Sequence, residues 1–126
     1  MRTLIYTKDD NEYERLTDIL KDISVQAEVR KDPLDGHGHY SEHYDLIIVA
    51  LNGARGMNEV AEWAARYPAS RIIWITDDKE FAGLAMQKHV SDFIVRPYGN
   101  ERFKESISFF LNNNRSCNIW NIPANR

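Results

Sequence analysis

Cysteine is nearly absent from this chain of 126 residues: Cys117 stands alone, so no intrachain disulfide can form. Its polar surroundings do not single it out as a structural or catalytic thiol. Basic excess is missing too. Sixteen Lys and Arg stand against 19 Asp and Glu, a formal net charge of −3, with both signs scattered along the chain. That distribution excludes the electrostatic footprint expected of a nucleic-acid or anionic-membrane binder. Long hydrophobic runs are lacking: the longest, residues 46–51, falls far short of the roughly 20 residues that span a bilayer. The opening stretch, MRTLIYTKDD, meets charge too soon for a secretory leader. A cytoplasmic, reducing setting is the expectation. No glycine-rich phosphate loop occurs, because Gly36-His37-Gly38 and Gly53-Ala54-Arg55-Gly56 lack the required spacing. No serine or cysteine sits in a nucleophile motif, so the chain is not expected to be an enzyme.

What is present reads as one globular domain. An apolar content of 43% and a charged content of 28% are ordinary for a folded chain, and a domain of this length buries about two-thirds of its unfolded surface. Four short apolar runs, residues 3–6, 45–51, 71–75 and 92–95, are continuous rather than alternating, as expected of strands covered on both faces. Residues 26–30 have the pattern of an edge strand. Between the strands, Tyr13, Leu16, Ile19, Leu20 and Ile23 fall on one helical face, as do Met57, Val60, Ala61 and Ala64. Phe81, Leu84 and Ala85 mark a shorter helix, and Phe103, Ile107 and Phe110 a final one.

Strands alternating with helices predict an α/β fold: a flavodoxin-like, doubly wound, five-stranded parallel sheet in the order 2-1-3-4-5. The turn-rich segment 31–44 is too short for a full crossover, which predicts a second helix reduced to a turn or two. Residues 1–112 form the expected domain and 113–126 a polar tail, where Trp120 and Ile122 are candidate docking residues. In this topology ligands gather at the carboxyl ends of strands one and three. The residues to inspect are therefore Thr7, Lys8, Asp9, Asp10, Ala50, Leu51 and Asn52, with Thr76 and Arg96 on the same rim.

The stretch 71–97, RIIWITDDKEFAGLAMQKHVSDFIVRP, resembles the C-terminal half of a response-regulator receiver domain, and is closest to the receivers that precede LytTR-type DNA-binding domains. The resemblance rests on Thr76, Glu80-Phe81-Ala82, His89-Val90-Ser91-Asp92-Phe93 and Arg96-Pro97. Glu14-Arg15-Leu16, Tyr44-Asp45-Leu46-Ile47-Ile48 and a loop Gly56-Met57-Asn58 extend it over residues 2–111. The resemblance implies a cytoplasmic two-component signalling protein. It also implies an acidic pair after strand one and a phosphoacceptor aspartate after strand three, which together hold Mg²⁺ through hard oxygen ligands. At those positions stand Thr7, Lys8 and Ala50, making this a degenerate pseudo-receiver with no metal and no cofactor. Thr76 and Phe93 match the switch pair, and Arg96 replaces the phosphoryl-contacting lysine. The resemblance also makes the Arg96-Pro97 bond cis.

The function expected is therefore an atypical, phosphorylation-independent receiver that acts as a protein-interaction module with an unknown kinase, regulator or output protein. Alternatives are a small-anion or nucleotide binder using the crevice, and a receiver phosphorylated through Asp9 and Asp10 as shifted acids. Lys8 has two readings: an electrostatic substitute for the metal, paired with Asp9, Asp77 or Asp78, or a side chain that points to water while Asp77 or Asp78 caps the following helix. Homodimerisation would use the helix before strand five, strand five and the last helix, through Phe81, Met86, Ile94 and Phe109. His37, His39, Glu42 and His43 form a string that could ligate a metal, though a three-histidine loop without cysteine reads first as solvated.

Overall fold

A computed structural model describes residues 1–24, 26–36 and 40–113, with side chains through 111. The sheet contains β1 (Arg2–Thr7), β2 (Glu28–Lys31), β3 (Leu46–Ala50), β4 (Arg71–Thr76) and β5 (Asp92–Val95). All neighbours run parallel, in the order β2-β1-β3-β4-β5. The doubly wound expectation holds. Helix α1 (Asp10–Ile23) follows β1, α2 (Gly53–Arg66) follows β3, a 3-10 turn (Lys79–Phe81) runs into α3 (Ala82–Gln87), and α4 (Asn100–Asn113) follows β5. Cys117, Trp120, Ile122 and the tail beyond 113 lie outside the described residues, as do His37 and His39.

Strand alternation builds two cores. Ile5, Leu46, Ile48, Ala50, Ile73, Ile75 and Ile94 point toward α1 and α4, meeting Leu16, Ile19, Leu20, Phe103 and Ile107. Leu4, Tyr6, Ile47, Val49, Leu51, Ile72, Trp74 and Phe93 point the other way, meeting Val60 and Trp63 of α2, with Ala85 and Val90. The sequence supports this directly, since each continuous apolar run supplies both faces at once.

The reduced second helix requires a correction: among the described residues no helix lies between β2 and β3. Aromatic rings take up part of that side of the sheet. Tyr40, Tyr44 and Tyr67 surround the fully buried Trp63 with ring centroids 5.2, 6.0 and 5.4 Å away. The Trp63 indole donates to the Tyr6 hydroxyl at 2.8 Å, and the Tyr40 hydroxyl donates to Glu59 at 2.7 Å.

Gly56 also departs from expectation. It lies inside α2 rather than in a loop before it, and the turn out of β3 is made by Gly53 at φ +65°, a left-handed conformation that favours glycine. A Cβ on Gly56 would sit 2.1 Å from the Leu51 carbonyl oxygen. Helix propensity alone would favour alanine by about 1 kcal/mol, but the obstructing atom belongs to the backbone and cannot rotate away. Gly56→Ala is therefore expected to lose about 1–3 kcal/mol of stability. Denaturant unfolding checks the sign, and a gain would refute the close approach.

At the edge of the sheet, Asp92 opens an otherwise apolar strand. Its side chain is 1% exposed and receives both arms of Arg102, at 2.7 and 2.8 Å. Asp92 also accepts the Phe93 N–H (2.9 Å), while Arg102 donates to the Phe93 carbonyl (3.4 Å). Backbone groups on a strand with one neighbour are thereby satisfied from the side.

Candidate functional site

At the carboxyl ends of β1 and β3, Thr7 lies opposite Ala50 in the register. A cleft of about 250 Å³ opens there, lined by residues including Thr7, Lys8, Glu12, Ala50, Asn52 and Arg96. Topology puts it at the switch point, where the chains leaving neighbouring strands turn to opposite sides of the sheet.

Arg96 organises the cleft. Its NH2 group donates to Glu12 Oε1 (2.9 Å) and to the Ala50 carbonyl (2.8 Å), and its Nε donates to Glu12 Oε2 (3.2 Å). NH1 donates to Asn52 Oδ1 (2.8 Å) and reaches Asp77 Oδ1 at 3.5 Å. A guanidinium has five N–H donors in a fixed fork, and here each has a protein acceptor. An oxyanion entering the cleft finds that cation already engaged.

Glu12 is the other half. It sits in the first turn of α1 at 6% exposure and accepts from Thr7 Oγ1 (2.8 Å), the Tyr98 hydroxyl (2.8 Å) and Arg96. Burial pushes its carboxyl upward, but Arg96, Tyr98 and Thr7 together outweigh that and hold it below the usual range. Burial likewise works against the Arg96 charge, and the Glu12 carboxylate more than compensates. The Tyr98 phenol is raised, by burial first and then by donating to Glu12.

Around this pair, Asn52 ties β3 to the β4 exit. Its Oδ1 accepts the Asp77 N–H (2.8 Å), and its Nδ2 donates to Asp77 Oδ2 (2.8 Å). The buried Thr76 hydroxyl lies 3.1 Å from Asp78 Oδ2 and accepts the Asp78 N–H (3.2 Å), while Gly53 N–H donates to the same carboxylate oxygen (3.0 Å). The Thr76 hydroxyl also lies 3.2 Å from Asn52 Oδ1, so it is held both by its own turn and by the exit of β3.

Several solved structures resemble this chain at low sequence identity. A receiver domain from a histidine kinase of Clostridium thermocellum is 21% identical, with a TM-score of 0.72 over 88% of this chain and 97% of its own. A CheY-like receiver protein from Methanospirillum hungatei is 18% identical, at 0.72 over 90% and 94%. The phosphorylated cyanobacterial phytochrome response regulator RcpA is 16% identical, at 0.70 over 88% and 94%. The fold is the CheY-like receiver fold. No family model and no curated protein sequence matches the chain.

Within this fold Thr7, Ala50 and Arg96 line one cleft, and Thr76 adjoins it through Asn52. Phe93 is not there: it is 9% exposed and packs edge-on against Trp74, 5.5 Å between centroids. The Arg96-Pro97 bond is cis.

Lys8 takes the solvent-facing one of its two readings. It is exposed on the cleft rim and forms no salt bridge among the described residues, so the cation that fills the centre is Arg96. Asp9 lines the cleft, whereas Asp10 is not among its lining residues. Asp9 caps α1 by accepting the Asn11 N–H at 2.9 Å, and Asp10 pairs with Lys31.

Glu12 was missed, although a signal existed. It falls four residues before Leu16 and eight before Leu20, which puts a carboxylate on the apolar face of an amphipathic helix. Among the described residues no group of three or more His, Cys, Asp or Glu is arranged to hold a metal ion, and Glu42 pairs with Arg2 and Arg30 instead. Nor is any described helix long and apolar enough to cross a membrane.

Proposed function

We propose that this chain is a pseudo-receiver: a signalling module that works without phosphorylation, by presenting its surface to a protein partner. The observation that carries this reading is the methyl group of Ala50 at the end of β3, with its carbonyl capped by an Arg96 already engaged by Glu12 and Asn52. Aspartyl phosphorylation needs a carboxylate nucleophile, and a receptive cation must meet the charge on the transferred group. The end of β3 supplies no carboxylate, and the central cation, Arg96, is already paired. Kinship with the receivers of LytTR-type regulators, a cytoplasmic location and the absence of enzymatic activity belong to the same reading. A net charge of −3 with both signs scattered along the sequence supports an effect on transcription through another protein rather than through direct contact with nucleic acid.

Acetyl phosphate or beryllofluoride with Mg²⁺ tests the proposal. The expected result is no mass adduct and no change in melting temperature. A covalent adduct would overturn it in favour of shifted acids. The cleft also keeps two peripheral cations, Lys8 and Arg55, which supports a second reading as a small-anion or nucleotide binder. A screen in which such an anion raised the melting temperature of the wild-type chain would favour that reading.

The homodimer remains a proposal, with a narrower surface. Ile94 is 2% exposed and contributes nothing outward, and Phe81 packs against the core, whereas Met86 is 54% exposed.

A further inference from the structure

Glu12 has the environment of a bound anion rather than of a helix surface residue. Its donors come from the end of β1 (Thr7), the end of β5 (Arg96) and the connection that leads into α4 (Tyr98). A second tie lies one helical turn further along α1. Arg15 donates to the Tyr98 carbonyl and to Asn100 Oδ1, both at 3.2 Å, and stacks over the Tyr98 ring at 4.4 Å. Residues three apart on a helix share a face, so Glu12 and Arg15 together hold the connection 96–100 against α1.

We propose that Glu12 is a built-in occupant of an oxyanion site formed by Thr7, Arg96 and Tyr98, and that this intramolecular contact holds residues 96–100 in a single arrangement. The contact is autoinhibitory toward external anions: phosphate, sulfate or a carboxylate reaches Arg96 only by displacing a carboxylate with a far higher local concentration. The inference deepens the pseudo-receiver reading and rests on it. The two fail separately, because a phosphodonor adduct on the wild-type chain overturns the reading, whereas the inference is judged on variants at Glu12.

Chemical rescue provides the test. Glu12→Ala removes the occupant and leaves the Arg96 cation and two hydroxyls facing a vacated space. Its melting temperature should fall by about 10 °C. Sodium formate, compared with sodium chloride at equal ionic strength, should recover about half of that loss by mass action. Inorganic phosphate, which is larger, should recover less. The wild-type chain should respond to neither. A Glu12→Ala protein that melts like wild type would overturn the proposal, as would one indifferent to formate, or a wild type stabilised as much as the variant. Should Glu12→Ala fail to fold, Glu12→Gln keeps the volume and one acceptor oxygen. Amide exchange at residues 96 and 98 should then accelerate at least about tenfold while that of β3 stays unchanged. Unaltered exchange at 96 and 98 would overturn the proposal.

Discussion

Arg96→Met is expected to destabilise the protein by about 3 kcal/mol at neutral pH, because it leaves the Glu12 carboxylate buried and without its cation. Removing one partner of a buried pair costs about 3–5 kcal/mol, and the lower end applies because the cleft admits water beside Glu12. The pH dependence gives a second check. In the wild-type chain the Glu12 carboxyl titrates below its ordinary value of 4.5, so its contribution is fully present above that pH and is lost as pH falls through the lowered folded value. In the variant, protonation relieves a carboxylate buried without its cation, so the gap between the two proteins should narrow progressively as pH falls from neutral. Urea unfolding across that range measures it. Lys8→Ala is the control: an exposed side chain without a salt bridge should change stability by no more than about 0.5 kcal/mol. If Lys8→Ala were as damaging as Arg96→Met, the assignment of the central cation would be wrong.

Trp63→Ala should lose about 3–5 kcal/mol, the usual range for deleting a large buried aromatic. Trp63 is fully buried and touches three tyrosine rings where the chain has no described helix to cover the sheet. Its indole N–H is also the partner of the Tyr6 hydroxyl, which is 2% exposed and would lose its donor. Trp63→Phe separates the two effects. It keeps most of the apolar volume and removes the hydrogen bond, so about 1–2 kcal/mol is expected. Equal losses in the two variants would show that packing contributes little, contrary to the ring cluster described above.

Both expectations depend on residues with unequal visibility in the sequence. The strands were legible because β3 and β4 are continuous apolar runs, a pattern that demands cover on two faces whatever the neighbours are. The lack of carboxylates at Thr7, Lys8 and Ala50 stood out only because the resemblance to receivers implies acids at those strand-end positions. Phe93 could be placed on β5, but whether its ring faced the cleft or Trp74 depended on neighbours supplied by β4. Gly56 could be read as a loop residue because nothing local reveals that the Leu51 carbonyl lies against it. That no described helix follows β2 was half visible in the short 31–44 segment. The partial cover given there by Tyr40 and Trp63, residues 23 positions apart, was not visible at all.

By itself the sequence determined the alternation of strands and helices and the absence of a carboxylate at the end of β3, since both follow from local periodicity and residue identity, while the 2-1-3-4-5 order was expected as the usual topology for that alternation. Only the tertiary structure decided what stands in the carboxylate's place. Glu12 and Arg96 are separated by 84 residues and meet because a parallel sheet brings the ends of β1 and β5 to one rim. Lys8, beside the site in sequence, points to solvent, whereas Glu12, a full helical turn beyond it, is turned inward with Leu16 and Leu20. A charge buried among its partners is specified by three-dimensional convergence, and no local pattern contains that information.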